Sequence, residues 1–99
     1  MSLKDYQAQI LQNKRDHYFN TTNLETEFLL LYGEVSEAFR AYQQEENIGD
    51  ELADVAIYLL GIAEILGIDL ETEIIKKMAV NKKRKYQLND QGYAKRVED

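Results

Sequence analysis

The 99-residue sequence contains no cysteine, no proline and no tryptophan. Without cysteine there is no disulfide framework, no thiolate metal site and no thiol nucleophile. Without proline, and with only five glycines, little in the chain interrupts a helix. A long hydrophobic run is missing too: the most apolar stretch, residues 55–66, contains Gly61 and Glu64 and falls short of the roughly 20 residues that cross a bilayer. No charged and then apolar leader opens the chain, so the expectation is a soluble cytoplasmic protein without a membrane partner. Positive charge is scarce. Twelve Lys and Arg against eighteen Asp and Glu leave a formal charge of −6, which argues against a nucleic-acid partner, because such binding comes mainly from neutralising phosphates.

What is present is helical periodicity. Apolar residues recur at spacings of three and four, and no useful run alternates with period two. The length suits one domain, residues 1–99. The expected fold is all-α, an antiparallel bundle of about four helices. The first runs from about Leu3 to about Tyr18 and is broken by Asn20–Asn23; Thr22 with Glu25 reads as the capping box of a second helix that reaches about Gln44. The third spans about Ile48 to Gly67, a residue suited to the left-handed turn after a helix. Asp69 reads as the N-cap of the fourth, which ends among the lysines of 82–85. Residues 87–99 are polar, with turn signals at Asn89, Asp90 and Gly92, and are expected to form a loose tail or a lid.

On the second helix Leu24, Phe28, Leu31, Val35, Phe39 and Tyr42 share a stripe, the expected core face. The third helix is apolar nearly all round and is expected to be buried. Three short neighbours cover such a helix poorly. Burial of apolar surface at roughly 25 cal/mol per Å² favours packing against another subunit, so completion by oligomerisation is expected, most simply as an isologous dimer.

Against this apolar background stand two acidic signatures, Glu34-x-x-Glu37 and Glu51-x-x-Asp54. Glu34 and Glu37 lie in a row with Leu30, Ala38 and Ala41, and Glu51 and Asp54 project from the first turns of the third helix with Tyr58 continuing their row. Ionised carboxylates gathered near a core repel one another and lose hydration, so they require a cation, a base or protonation. On antiparallel helices the two pairs would converge, and four oxygen donors suit Mg²⁺ or Mn²⁺ better than zinc. A di-iron bundle would need Glu-x-x-His motifs, and the single histidine, His17, is misplaced for one. Either acid pair alone is ordinary surface charge. In the fourth helix Lys77, Asn81 and Arg84 form one polar stripe with Lys85 beside it, a pattern that can hold phosphate oxygens or simply complement the helix dipole.

The segments LLLYGEVSEAFRAY, NIGDELADVAIYLLGIAEILGIDL and KKMAVNKKRKY together resemble the MazG-like members of the all-alpha nucleoside triphosphate pyrophosphohydrolases, over residues 25–86. The shared pattern is E-x-x-E, a spacer, E-x-x-D and a downstream K-x-x-x-N-x-x-R. The resemblance implies Mg²⁺-dependent hydrolysis of an NTP or dNTP to monophosphate and pyrophosphate, by a metal-activated water at the α-phosphorus. By the same resemblance Glu34, Glu37, Glu51 and Asp54 bind metal, while Lys77, Asn81 and Arg84 contact phosphates. It also implies a homodimer or dimer of dimers, with the site completed by a second chain. Some relatives have a further glutamate just before the first motif, where this chain has Gly33. Tyr18, Phe19 and Tyr58 are the candidates for base recognition. The competing class is a non-catalytic interaction or nucleotide-sensing module on the same scaffold, whose stability would not respond to Mg²⁺.

Overall fold

The computed structural model describes residues 1–97. Its elements are α1 (Leu3–Asp16), α2 (Leu24–Gln43), α3 (Ile48–Ile65), α4 (Leu70–Lys83), β1 (Lys85–Leu88) and β2 (Ala94–Val97). The two strands pair antiparallel, Lys85 opposite Val97 and Leu88 opposite Ala94. The tail expected to be loose is therefore a hairpin as far as Val97. Asn89 closes it, its side-chain oxygen accepting from the amides of Gln91 and Tyr93 at 3.0 and 2.9 Å. Residues 98 and 99, also assigned to that tail, lie outside the described residues. Among the described residues no helix is long and apolar enough to cross a membrane.

Every helix starts on a side-chain cap that accepts from the amide three residues on: Ser2, Asn23, Asn47 and Asp69. Ser2 and Asp5 form a reciprocal capping box, and the bonds from Ser2 hold the Asp5 carboxyl below its ordinary pKa. The cap of α2 is Asn23, whose oxygen accepts from Thr26 at 3.1 Å; the expected Thr22 with Glu25 box does not form. The reason is local. Asn20 and Asn23 brace each other, Asn20 Nδ2 donating to the Asn23 carbonyl and the Asn23 amide to Asn20 Oδ1, which places Asn23 at the helix mouth.

Helices α1, α2 and α3 end alike, with a left-handed residue followed by an amide that reaches back to the last turn. That residue is Tyr18 after α1, Glu45 after α2 and Gly67 after α3. At α1 the Phe19 amide donates to the Lys14 carbonyl at 2.8 Å, so the helix stops at Asp16, short of Tyr18. His17 caps the same end, its Nδ1 donating to the Asn13 carbonyl at 2.8 Å.

The three helices pack through small residues together with Leu11 of α1 and Ile62 of α3. Ala38 and Ala41 of α2 and Gly61, Ile62 and Ala63 of α3 are buried, and α3 lies between α2 and α1. Gly61 sits under Lys14: a Cβ there would stand 3.2 Å from Lys14 Cε and 3.4 Å from Ile10 Cγ2. The Lys14 ammonium reaches over the Tyr58 ring at 4.9 Å and forms a buried ion pair with Glu27, which also accepts from Asn20 Nδ2 at 3.1 Å. One cation thus links all three helices. A buried pair such as this gives little net stability, but removing one partner is costly.

The row that α2 buries corrects the expected stripe. Phe28, Val35, Phe39 and Tyr42 are exposed, and the inward row is Glu27, Leu31, Glu34, Ala38 and Ala41. Small side chains allow α2 and α3 to approach closely, and the bulky ones are turned outward. Helix α3 is also less covered than expected, with Leu52 and Leu59 exposed. Helix α4 has no buried residue and packs chiefly against α1. Its start is held by Gln7, fully buried, which donates to the Ile68 carbonyl at 2.7 Å and accepts from the Leu70 amide at 3.0 Å.

Candidate functional site

Because the loop between α2 and α3 is short, the two helices run antiparallel and the inward row of α2 faces the first turns of α3. Glu34 from α2 and Glu51 and Asp54 from α3 meet there. Each offers a carboxylate oxygen, and the three oxygens lie within 4.8 Å of one another. All three residues are half-buried. None of them forms an ion pair with a Lys or Arg among the described residues.

The electrostatics follow from this crowding. Partial burial pushes the Glu34 carboxyl above its ordinary value, and the charges of Asp54, Glu51 and Glu37 push it the same way. Glu51 is raised by loss of hydration and by Asp54, Asp50 and Glu37, with Arg40 pulling back. Asp54 is in both cases the neighbouring charge that acts most strongly. A cluster of acids with raised affinity for protons is equally short of a metal cation: both relieve the same repulsion. Oxygen donors alone, without His or Cys, fit Mg²⁺ or Mn²⁺.

Glu37 lies one turn along α2 and does not join the three. Its exposed carboxylate is held by Arg40 in an i, i+3 ion pair, although its charge is felt at Glu34 and Glu51. The phosphate-contact stripe also lies elsewhere. Lys77 and Asn81 are exposed on α4, Arg84 Nη1 donates to Asn81 Oδ1 at 3.1 Å, and the buried Arg84 Nε has no partner among the described residues. The stripe is carried by α4, which packs chiefly on α1, whereas the three acids are on α2 and α3.

A groove of about 320 Å³ runs between α1 and α3. Phe19 and Tyr58, two of the aromatic candidates, line it; Tyr18 does not, being the left-handed turn residue and 96% exposed. The amide side chains of Gln9 and Asn13 also line it, and neither was singled out in the sequence. The usable signal was their spacing: Gln9 and Asn13 are i, i+4 on the helix that ends at Asp16, three residues before Phe19.

A sequence profile of the MazG-like family matches residues 21–99. A dATP/dGTP diphosphohydrolase of Salmonella phage PMBT28 is 47% identical over 49 residues, 50% of this chain but 17% of that protein, so the match covers a small part of that relative. Among solved structures, the cyanophage S-2L MazG-like pyrophosphohydrolase, bound to dGDP and three catalytic Mn²⁺ ions per active site, shares the fold. Its TM-score is 0.77 over 99% of both chains, at 24% sequence identity.

Proposed function

The chain belongs to the MazG-like family, and on that premise we propose that it is a Mg²⁺- or Mn²⁺-dependent pyrophosphohydrolase of nucleoside triphosphates. The observation that carries this reading is the convergence of Glu34, Glu51 and Asp54, whose oxygens lie within 4.8 Å of one another without a protein cation. Deoxynucleotides are the proposed substrates, in line with the dATP/dGTP diphosphohydrolase and the dGDP-bound pyrophosphohydrolase that the chain resembles.

The roles divide by chemistry. Glu34, Glu51 and Asp54 would hold the cation, and Glu37 would join them by exchanging Arg40 for it. A divalent ion held there supplies charge neutralisation on the phosphates and a water of lowered pKa. A carboxylate of the same set would take the proton of a water attacking the α-phosphorus, the bond from that phosphorus to the bridging oxygen breaking so that pyrophosphate leaves. Lys77, Asn81 and Arg84 bind the outer phosphate oxygens, to which the unpartnered Arg84 Nε is a ready donor.

We propose further that this stripe reaches the acids of a second copy, in a homodimer or dimer of dimers. The accessible surface is 7933 Å², against about 5,800 Å² for a compact monomer of this mass. The radius of gyration is 17.2 Å, against about 13 Å for a compact chain of this length. Phe28, Tyr32, Val35, Phe39 and Tyr42, all exposed along α2, supply the apolar face for that contact.

The test is release of pyrophosphate from the canonical NTPs and dNTPs, with Mg²⁺ and with EDTA. Metal-dependent formation of monophosphate and pyrophosphate is expected. Silence across the panel, with no thermal shift on adding Mg²⁺ or Mn²⁺, would overturn the reading in favour of a non-catalytic module.

A further inference from the structure

The polar row of α3 does not stop at the acids. Tyr58 follows Asp54 by four residues on the same face, about 6 Å further along the axis, and it forms a wall of the groove between α1 and α3. The groove and the acid cluster thus share α3, Tyr58 of the groove standing one helical turn on from Asp54 of the cluster.

The lining indicates which part of a nucleotide fits there. Ile10, Phe19, Ile57 and Tyr58 give it apolar and aromatic walls. Its one cationic side chain, Lys14, is already committed: the ammonium is paired with Glu27 and lies over the Tyr58 ring. A groove whose only cation is neutralised in this way is a poor phosphate site and a good site for a flat, uncharged ring. Phosphates belong at the metal, so the groove is left for the other end of the molecule.

Two amides could read the edge of that ring. Gln9 Nε2 is engaged by Met1 Sδ at 3.3 Å. The Asn13 side chain makes no hydrogen bond among the described residues, while its backbone carbonyl is fixed by His17. Asn13 therefore offers a donor and an acceptor side by side from a rigid helical position, the arrangement that pairs with a base edge. Phe19, in the same lining, follows the left-handed turn at Tyr18 and stacks on His17, with ring centroids 5.6 Å apart.

We propose that the groove between α1 and α3 is the nucleobase pocket, with the Asn13 amide reading the base edge between the Phe19 and Tyr58 rings. The proposal rests on the nucleotide reading of the acid site. It places base selection on α1, the helix that carries none of the acids.

The experiment measures kcat/KM of the full chain with Mg²⁺ for the four dNTPs and for deoxyribose triphosphate lacking a base, in wild type, Asn13→Leu and Asn13→Asp. Asn13→Leu is expected to lower the preference of the best dNTP over the abasic triphosphate by about ten- to a hundredfold. Asn13→Asp, which keeps the acceptor and loses the donor, is expected to reorder the four bases. Asn13 is exposed, so both variants should fold, and their melting curves check this. An active wild type whose base ranking survives both substitutions overturns the pocket and leaves the hydrolase reading intact. If the ranking survives and Asn13→Leu instead changes the assembly state, an apolar side chain of a second copy fills the groove. A wild type silent on every triphosphate overturns the hydrolase reading, and the pocket with it.

Discussion

The body formed by α1–α3 and the arm formed by α4 and the hairpin differ in charge and in what they bury. Residues 1–69 contain four basic and thirteen acidic side chains, net −9, and residues 70–99 contain eight and five, net +3. The body buries Leu11, Ile62 and small apolar residues together with an ion pair, Lys14 with Glu27; α4 has no buried residue. The lesson is a division of labour. One chain brings its three candidate metal-binding acids together by itself, whereas the proposed phosphate stripe sits on the oppositely charged arm, with Lys77 exposed and Arg84 half-buried.

The sharpest probe of the body is Asp54→Asn. Loss of one carboxylate from the metal set is expected to lower the rate of pyrophosphate release by at least about 10³-fold. Stability should move the other way. The Glu34 and Glu51 carboxyls are raised in the folded state, so their contribution to stability is fully present below the ordinary value of 4.5 and is lost as pH rises through the raised values. Asp54 is the strongest neighbouring charge on both. In EDTA the variant should therefore melt above wild type near neutral pH, and the gain should vanish below 4.5. A variant that unfolds would show that the acids are structural.

Next in size is Lys14→Met, which leaves Glu27 buried without its cation and is expected to cost about 3 kcal/mol or more. That corresponds to a fall of more than about 12 °C in Tm. Adding Glu27→Gln should recover most of it, since the remaining amide can still bond to Asn20. If Lys14→Met alone is neutral, the link between the three helices is not made by this pair.

The arm is tested by mixing. Arg84→Ala is expected to lose about 10²-fold in activity. Combined after exchange with Asp54→Asn, itself inactive, it should regain about a quarter of the wild-type rate, because half of randomly paired dimers hold one intact site. No recovery would mean that the arm serves the acids of its own chain, and the contrast between the regions would lose its functional meaning.

These two regions were also unequally legible in the sequence. Helix number and order, the turn at Gly67 and the Asp69 cap follow from local rules, and the structure bears them out. The core face of α2 did not follow, because periodicity identifies a stripe without saying which neighbour covers it. The bulky stripe of Phe28, Val35, Phe39 and Tyr42 is the more hydrophobic one, yet α3 fits only against the small one. The meeting of Glu34 with Glu51 and Asp54 could be anticipated from matched spacings, whereas Glu37 turns to Arg40, a competition within one helix that spacing does not rank. The hairpin was hidden by polar composition: four-residue strands with nearly every side chain exposed leave no alternating apolar pattern to find.

The smallest expected effects lie at the left-handed turns, and they separate the regions by cooperativity. Glu45 has φ of 56° after α2, where an L-residue with a side chain costs roughly 1–2 kcal/mol. Glu45→Gly relieves that cost, while the added freedom of the unfolded chain returns about 0.4–1 kcal/mol. The net gain should be about 0.5 kcal/mol, a rise of about 2–4 °C in Tm. Gly92 in the hairpin has φ of 84°, so Gly92→Ala imposes a similar strain there. With no buried residue in α4 and little burial in the strands to couple the hairpin to the body, that strain should fray the hairpin and leave the main melting transition unmoved. A main transition that falls with Gly92→Ala as it rises with Glu45→Gly would show that arm and body unfold as one unit.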